Sequence, residues 1–293
     1  MTPLALRASV VSLLLIPLPA FAGAWTLASG DLWWKLGGIS QLTHEFYADG
    51  AAVLPGGTPV EIGDRRPYDD EGASRSRVFI SELEFGATDR VTLGLQVPFY
   101  IVRWEDRIQT IDSRGVGDIR MNTRLGLLTG AHRVSLRATW KLATGRASTD
   151  PNVIPIGEGQ SDYDLALQWG HSLGRAMSWV GAEGGRRFRT EDTIEERDPG
   201  DEWFWSLEGG YSVHRSLALK LNWNGLRAGP TTTRLLGNIG NLRREVHEVS
   251  TSMLFSLPGE NLLELGWTRS LAGRAYPAGN SWSVALSRTH RLY

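Results

Sequence analysis

The most constraining feature of this sequence is an alternation of apolar and polar residues that recurs along almost the whole chain. In VTLGLQV at 91–97, four aliphatic residues alternate with Thr92, Gly94 and Gln96. A period of two residues is that of a β-strand with one apolar and one polar face. The sequence therefore predicts an all-β fold of about twelve strands. They lie near residues 32–47, 77–86, 91–97, 118–128, 133–142, 161–171, 177–189, 202–213, 216–225, 246–257, 261–269 and 281–293.

The connections between these segments alternate in length, and this decides which face of the sheet is the interior. After every second strand the turn is short, as in ATDR at 87–90, TGAH at 129–132 and PGEN at 258–261. After the other strands the connection is long, as at 48–76 and 143–160. Outer-membrane barrels have short periplasmic turns and long extracellular loops, whereas a soluble sandwich has no reason to sort its loops in this way. We therefore predict a transmembrane antiparallel up-and-down β-barrel, with the apolar face towards lipid and the polar face lining the lumen.

The first 22 residues have the layout of a secretory signal peptide. They carry one positive charge at Arg7, an apolar run over 10–18, and small residues at Ala20 and Ala22. The apolar run is shorter than the ~18 residues that a spanning helix needs. We expect cleavage after Ala22, so that residues 23–293 form a single barrel domain in the outer membrane of a Gram-negative bacterium.

Composition excludes several other classes of protein and site. The chain has 0 cysteines, which excludes a disulfide framework, a thiolate metal site and a lipoprotein anchor. Its formal net charge of -1 gives no sign of a nucleic-acid partner. Beyond the first 22 residues, no apolar run approaches the ~20 residues of a helical span. Since no two histidines have the spacing of metal ligands, we expect neither a metal nor a cofactor.

Tryptophan is abundant, with 12 residues, and many of these fall near predicted strand ends. Indole rings favour the two membrane–water interfaces, whereas scattered core aromatics would not favour strand ends. We therefore expect Trp34, Trp169 and Trp179 at the periplasmic interface. The residues expected at the outer interface are Trp104, Trp140, Trp203, Trp223, Trp267 and Trp282.

The polar face of the predicted sheet carries many charged residues, and its basic strands stand beside acidic ones. Charges inside a barrel can select solutes, or they can form ion pairs that fill a narrow lumen. The sequence leaves both interpretations open. The candidate lumen-lining residues are Glu82, Glu84, Arg120, Arg124, Arg137, Lys141, Asp162, Asp164, Glu208 and Lys220.

Two of the predicted strands are expected to be irregular. Pro98 falls on the lumenal face of the third strand and lacks the N–H that pairing requires, which predicts a bulge or a strand end there. Near the C-terminus the alternation fails at Arg288, and His290 and Arg291 follow it. We therefore expect the last strand to be short. The terminal Tyr293 is acceptable as the aromatic end of a barrel-assembly signal.

Nucleophilic catalysis is a further alternative, because some outer-membrane barrels are hydrolases with a Ser–His pair facing the outer leaflet. His44 and Ser81 fall on the outward face of adjacent predicted strands and could approach one another. No carboxylate or amide on the outward face is placed to orient the histidine, as this chemistry requires. The sequence therefore predicts no catalytic residue and no enzyme, and an outer-membrane lipid hydrolase is the least favoured function.

Several segments in the first half of the chain resemble a known family. AWTLASGDLWWKLG from Ala24, EFYADG at 45–50, RSRVFISELEFGATDRVTLGLQVPF from Arg75 and GVGDIR at 115–120 carry the resemblance. They are similar to the outer-membrane barrels described as "putative MetA-pathway of phenol degradation". The resemblance implies a barrel of about twelve strands associated with the uptake of aromatic or other small apolar compounds, and it supplies no catalytic residues.

Together these features favour a passive channel or transporter for small molecules. The alternative is a closed barrel with a structural or adhesive role, which acts through its extracellular loops. The two differ in whether a continuous lumen crosses the barrel. The expected partners are outer-membrane lipid and lipopolysaccharide, the barrel-assembly machinery and a small solute, and no nucleic acid.

Overall fold

A computed structural model describes residues 23–50, 52–53, 59–150, 152–174, 177–194, 196–233 and 243–292. The expected signal peptide, residues 1–22, and the terminal Tyr293 lie outside the described residues. Within these ranges, no helix is both long enough and apolar enough to cross a membrane.

Twelve long antiparallel strands form one closed sheet, which confirms the predicted barrel. Each strand pairs with its neighbours in sequence, and the last strand pairs with the first to close the barrel. In chain order the strands are β1 (Asp31–Tyr47), β2 (Ala73–Thr88), β3 (Val91–Glu105), β4 (Ile119–Leu128), β5 (His132–Leu142), β6 (Asp162–Ser172), β7 (Trp179–Arg189), β8 (Glu202–His214), β9 (Leu217–Ala228), β10 (Glu245–Leu257), β11 (Asn261–Arg274) and β12 (Tyr276–Arg291).

Shorter segments extend one rim of the barrel. Thr110–Val116 continues the pairing along β3, and Arg65–Pro67 pairs with the end of β1. Two further pairs of short strands lie in the loops, together with a 3-10 turn. These elements are Ala52–Val53 with Pro59–Val60, Arg197–Asp198 with Thr232–Thr233, and Asp69–Glu71.

The two rims differ in the length of their connections, as predicted. The rim that holds both ends of the barrel has short turns, such as the one from Thr88 to Val91, and we call it the periplasmic rim. The opposite, outer rim has long loops, such as 48–72 and 143–161. One connection at this rim departs from the pattern, because only Ala275 separates β11 from β12.

The expectation of a short last strand is wrong. β12 has 16 residues, and β11 has 14. β11 continues to Arg274 and β12 begins at Tyr276, beyond the predicted bounds 261–269 and 281–293, because each pairs along its length with a neighbour. On its other side β12 pairs with β1 from Asp31 to Tyr47, and that pairing also holds Arg288 and Arg291 in the sheet.

Side chains alternate between the interior and the exterior of the barrel along the strands. In β6, Asp162, Asp164 and Gln168 are buried, whereas Tyr163 and Leu165 are exposed. The exterior is a belt of exposed apolar side chains, which is what the lipid-facing surface of a membrane barrel requires. Members of this belt include Leu36, Phe79, Leu93, Leu95, Phe99, Leu125, Leu165, Leu167, Leu207, Leu219, Leu221, Met253, Leu265 and Val284.

Pro98 does not end or bulge its own strand, contrary to expectation. β3 runs through Pro98, and its pairing with β2 shows no shift in register there. The irregularity lies on the other neighbour, because Val116 and Ile119 are separated by two residues that leave the sheet. The N–H of Gly117 donates to the Pro98 carbonyl oxygen at 2.9 Å, so the partner strand adapts where proline cannot donate.

An apolar cluster lies at the outer end of the interior. Inward-facing side chains of β2 and β3 pack there against Ile154 and Ile156, which come from the 143–161 loop. The loop is held by Ser113, whose hydroxyl oxygen accepts the N–H of Ile154 at 3.1 Å. We call this set the outer apolar cluster: Phe46, Tyr68, Val78, Ile80, Tyr100, Val102, Trp104, Ile111, Ile154 and Ile156.

Candidate functional site: the interior of the barrel

Residues 23–30, the N-terminal segment, fold back into the barrel from the periplasmic rim. The main chain of Leu27 donates to the Thr92 hydroxyl at 2.9 Å, and the Thr26 hydroxyl donates to the carbonyl oxygen of Asp89 at 2.8 Å. Thr92 is fully buried on the inward face of β3. The segment is therefore inside the barrel wall, and it is held by hydrogen bonds to side chains and turns, not by pairing as a strand.

Two glycines of the wall make room for this segment. At Gly86 a Cβ would overlap the main chain of Ala28, and at Gly170 it would overlap the ring of Trp25. Only a residue without a side chain permits so close an approach. The barrel wall thus carries a built groove for the N-terminal segment.

A charged cluster surrounds the N-terminal segment at its inner end. The Arg124 guanidinium donates to both oxygens of Glu84, at 3.1 and 3.2 Å, and also to the carbonyl oxygen of Trp25 at 3.0 Å. It donates further to Gln168 at 3.2 Å. Arg124 therefore joins Glu84 and Gln168 of the barrel wall to the main chain of the N-terminal segment. The position of the segment depends on the Arg124–Glu84 ion pair.

The first residue of the segment lies against acidic side chains. The N–H of Gly23 donates to the Glu208 carboxylate. A Cβ at Gly23 would lie 3.6 Å from one carboxylate oxygen of Glu183. The other oxygen of Glu183 accepts a hydrogen bond from Arg137 at 2.5 Å. In the described part of the chain, Glu208 makes no ion pair.

The outer half of the interior contains a larger ion network around Lys141. This ammonium group is almost fully buried and lies 2.9 Å from Asp162, 3.5 Å from Asp118, and in contact with Glu158. Asp118 accepts the main-chain N–H groups of Gly145 and Glu158, at 2.9 and 3.0 Å. The 143–161 loop is thereby tied to the barrel wall through buried carboxylates.

Glu158 is the loop residue that enters this network most deeply. It is in contact with Lys141, and its other oxygen lies 3.2 Å from Arg189 and 3.6 Å from Arg244. Burial raises the pKa of the Glu158 carboxyl, but these three cations lower it by more, so that the pKa lies well below its ordinary value. The carboxylate is therefore charged, and the loop is held in place by charge as well as by the outer apolar cluster.

Arginines of β7 complete the outer network. Arg187 donates to both oxygens of Asp164, at 2.8 and 3.1 Å, and to Glu202 at 2.7 Å. Arg120 lies 3.7 Å from Asp164. Among the described residues, the network joins five cations and five carboxylates: Arg120, Lys141, Arg187, Arg189 and Arg244 with Asp118, Glu158, Asp162, Asp164 and Glu202.

A third, smaller cluster joins strands on the far side of the barrel. Glu264 of β11 lies 3.3 Å from Lys35 of β1 and in contact with Lys220 of β9. Further towards the outer rim, Glu248 accepts the hydroxyl of Tyr276 at 3.2 Å. Glu248 forms no ion pair among the described residues, although its side chain is buried.

The predicted lumen-lining residues all lie on strands whose polar face points inward. Eight of them take part in the buried ion pairs: Glu84, Arg120, Arg124, Arg137, Lys141, Asp162, Asp164 and Lys220. Glu82 instead accepts a hydrogen bond from Gln96 at 2.7 Å, and Glu208 contacts the N-terminal segment. The pairing supports a structural lattice more than a free ladder of solute-contacting cations.

Several interior charges were missed from the sequence. Glu183, Arg187 and Arg189 belong to the strand whose facing the sequence left ambiguous, since WVGAEGGRRFR has no clear apolar register. The apolar Phe188 is the signal that could have shown the facing of this strand. Its ring is exposed, so the even-numbered residues face outward and the odd-numbered residues face inward. Glu158 lies in a loop, where no periodic signal exists.

Of the nine tryptophans predicted at the interfaces, two point into the barrel. Trp104 is only 7% exposed and belongs to the outer apolar cluster. Trp179 packs over Gly210 inside the barrel, where a Cβ at that glycine would overlap its ring. Both residues are at positions of their strands whose side chains point into the barrel. Closeness to a strand end does not show which way a side chain points. The other seven lie on the exterior parity: Trp34, Trp140, Trp169, Trp203, Trp223, Trp267 and Trp282. Two of these, Trp267 and Trp282, lie in the middle of their strands and not near the outer ends, because β11 continues to Arg274 and β12 begins at Tyr276.

The His44 and Ser81 pair does not assemble a hydrolase site. Ser81 pairs with Leu36, and His44 lies eight residues further along β1. At about 3.3 Å per residue this separation is roughly 26 Å, far beyond hydrogen-bond reach. In the described ranges, no group of three or more side chains is placed to hold a metal ion.

Comparison with known proteins agrees with this architecture. An outer-membrane channel of Pseudomonas putida F1, described as COG4313, has a TM-score of 0.75 and 18% identity, over 93% of this chain and 100% of that one. The translocator domain of the autotransporter NalP from Neisseria meningitidis has a TM-score of 0.50 and 10% identity, over 90% of each chain. At these identities the likeness concerns the fold. A search of curated proteins found no match.

A family model matches residues 71–286, which include β2 to β11 completely and most of β12. The matched range contains both ends of the Arg124–Glu84 pair and the whole outer ion network. The segments noted in the sequence from Arg75 to Arg120 also fall within it. The chain belongs to the family described as "Putative MetA-pathway of phenol degradation".

Proposed function

We propose that the protein is a passive channel for small molecules in the bacterial outer membrane. The closed barrel, its apolar exterior and its polar interior support this function. The observation that carries it is the N-terminal segment, which fills the periplasmic end of the interior without becoming part of the sheet. A segment held by a few hydrogen bonds can leave the interior while the barrel stays closed.

The solute of this channel is a small molecule with an apolar, ring-sized body. From the outside it first meets the outer apolar cluster, in which Tyr68 stacks on Phe46 and contacts Trp104 edge-on. Rings of this kind favour aromatic partners by offset and edge contacts. The family description, which refers to phenol degradation, supports this proposal.

Conductance measured in planar bilayers tests the channel function. A disulfide between T26C and G126C would lock the N-terminal segment, because a Cβ at Gly126 lies 3.4 Å from the Thr26 side chain. The chain has 0 native cysteines, so the lock is the sole disulfide. We expect the oxidised variant to conduct less than the wild type and to recover with a reducing agent. The single variants T26C and G126C are the matched controls.

The competing function is a closed barrel that acts through its outer loops. The dense outer ion network and the burial of Ile154 and Ile156 at the mouth favour it. If neither the wild type nor a variant lacking residues 24–29 carries current, or passes small solutes into liposomes, the channel function is refuted. The loops would then be tested for binding to cells or to surfaces.

Export and assembly complete the proposal. A signal peptide of residues 1–22 would direct export, and the barrel-assembly machinery would insert the strands. Membrane lipid contacts the apolar belt. N-terminal sequencing of protein extracted from outer membranes by detergent tests both cleavage after Ala22 and location.

A further inference from the structure

Four exposed arginines form a patch on the outside of the barrel near the outer rim. Arg75 and Arg77 belong to β2, Arg103 to β3, and Arg114 to the Thr110–Val116 segment. The residues that alternate with them along the strands, such as Ser76 and Val102, face the interior and are buried. The four side chains therefore point away from the lumen, and no part of the proposed channel uses them.

The pairing of the strands places these arginines in two adjacent rows. In the outer row, Arg75 lies directly across from Arg103, which lies across from Asp112. In the inner row, Arg77 and Arg114 flank Ile101 from either side. Neighbouring strands are about 4.8 Å apart and rows about 7 Å apart, so all four guanidinium groups can reach one small anion.

The patch lies at the edge of the apolar belt. One row further in, the exposed residues are Phe79, Phe99 and Val116, which face lipid. Arginine on the lipid face of a barrel is costly near the bilayer midplane and nearly free of cost at the interface. The four guanidinium groups thus stand at headgroup level, and their alkyl stems can cover the first apolar row.

The positive charge of the patch is only partly neutralised by the protein. Arg103 donates to both oxygens of Asp112, at 2.6 and 2.9 Å. For Arg75, Arg77 and Arg114, the described residues supply no hydrogen bond or ion pair. Like charges directly across a strand pair destabilise a sheet, and Asp112 pairs with Arg103 only, so a bound anion that also contacts Arg75 would relieve the remaining repulsion.

We propose that this patch binds the phosphate group of a lipid in the outer leaflet, whose acyl chains lie on the adjoining apolar rows. Arginine forks match phosphate oxygens in pairs, and a lipid meets both the charged rows and the belt below them. Elsewhere the outer perimeter presents rings such as Trp140 and Trp203. Arg186 and Arg227 flank Trp203 there, but Arg186 lies 2.7 Å from Asp201 and Arg227 pairs across from Glu245. The patch differs in holding three arginines that form no ion pair among the described residues.

The test is a titration of detergent-solubilised protein with bisphosphorylated lipid A, followed by native mass spectrometry. The triple variant R75Q/R77Q/R114Q is expected to weaken binding about tenfold or more, whereas R75K/R77K/R114K retains much of it. The double variant R227Q/R269Q, which removes exposed outward arginines elsewhere, is expected to bind as the wild type does. Migration of the unheated barrel on a gel checks that each variant is folded.

Two further arms identify the ligand. Fully dephosphorylated lipid A is expected to bind the wild type as weakly as it binds the triple glutamine variant. Excess inorganic phosphate is expected not to displace the lipid, because the apolar rows contribute to its binding. The proposal is overturned if removal of the phosphates does not weaken binding, if R227Q/R269Q weakens it equally, or if inorganic phosphate alone displaces the lipid.

Discussion

Arg124 and Glu84 face each other across the inside of β3, and their side chains join two strands that do not pair. The guanidinium of Arg124, on β4, donates to both carboxylate oxygens of Glu84, on β2, at 3.1 and 3.2 Å. A third hydrogen bond runs from the same group to the main chain of Trp25 at 3.0 Å. One arginine thereby fixes the distance between two parts of the wall and the position of the N-terminal segment.

The Arg124–Glu84 pair gives the first prediction. R124Q is expected to lower the free energy of unfolding by about 3 kcal/mol, because it leaves the largely buried Glu84 without its cation. The double variant R124Q/E84Q should lose less than the sum of the two single variants. Unfolding by urea in lipid vesicles, followed by tryptophan fluorescence, measures these differences. Strict additivity would show that the pair is not coupled.

Lys141 gives a second prediction, on the mouth of the barrel. K141M is expected to cost about 3–5 kcal/mol, because Asp118, Glu158 and Asp162 lose their shared cation. The 143–161 loop should then detach, since two of these carboxylates hold it. Limited proteolysis of intact cells reports on this loop. Protection of the loop in K141M equal to that in the wild type would contradict the role of Lys141.

The groove for the N-terminal segment gives a third prediction. G170L is expected to expel the segment and raise conductance, because the new side chain takes the place of the Trp25 ring. The barrel should remain folded, since the leucine replaces a contact made by the segment alone. G184L is the matched control, as a Cβ at Gly184 meets nothing within 4 Å. Single-channel recording compares the two variants.

Cleavage after Ala22 gives a fourth prediction. Gly23 would then carry an α-ammonium group with three donors, directed at Glu208 and close to Glu183. We expect this amine to react slowly with an acylating reagent in the folded wild type and faster in E208Q. The exposed Glu260 supplies the control variant E260Q. Peptide mass spectrometry gives both the first residue of the chain and the extent of labelling.

The orientation of the tryptophans gives a fifth prediction. Brominated lipids quench indoles that face the bilayer and spare those inside the barrel. W203F and W282F are therefore expected to reduce the quenched part of the emission, because these rings are 58% and 67% exposed. W104F and W179F should leave that part unchanged. Loss of the quenched emission in W104F would place its ring outside.

The barrel could be predicted from the sequence because membrane strands repeat one simple pattern. Once the connection lengths indicate a membrane barrel, the alternation gives the facing of each residue: Leu93 and Leu95 face lipid, and Thr92 faces inward. Where the pattern is weak, as from Trp179 to Arg189, facing could not be assigned. Parity also distinguishes Trp104 from the outward rings, whereas its position near a strand end does not.

The interior could be predicted only in part, because its contacts join residues far apart in the sequence. Arg137 and Lys141 were identified as inward-facing, yet Glu183 and Glu158, which pair with them, lie in an ambiguous strand and in a loop. No local signal shows that a loop or an N-terminal segment folds into a barrel. Gly86 and Gly170 are plain in the sequence, but the reason that they must be glycine is the N-terminal segment that packs against them.

The five cations and five carboxylates of the outer network have a consequence for permeation. Their formal charges cancel within one compact region, so a passing anion and a passing cation meet nearly the same mean field. In the proposed channel, this network by itself therefore adds little preference for anions or cations. At this level a solute would be sorted by its width and by its ability to break contacts.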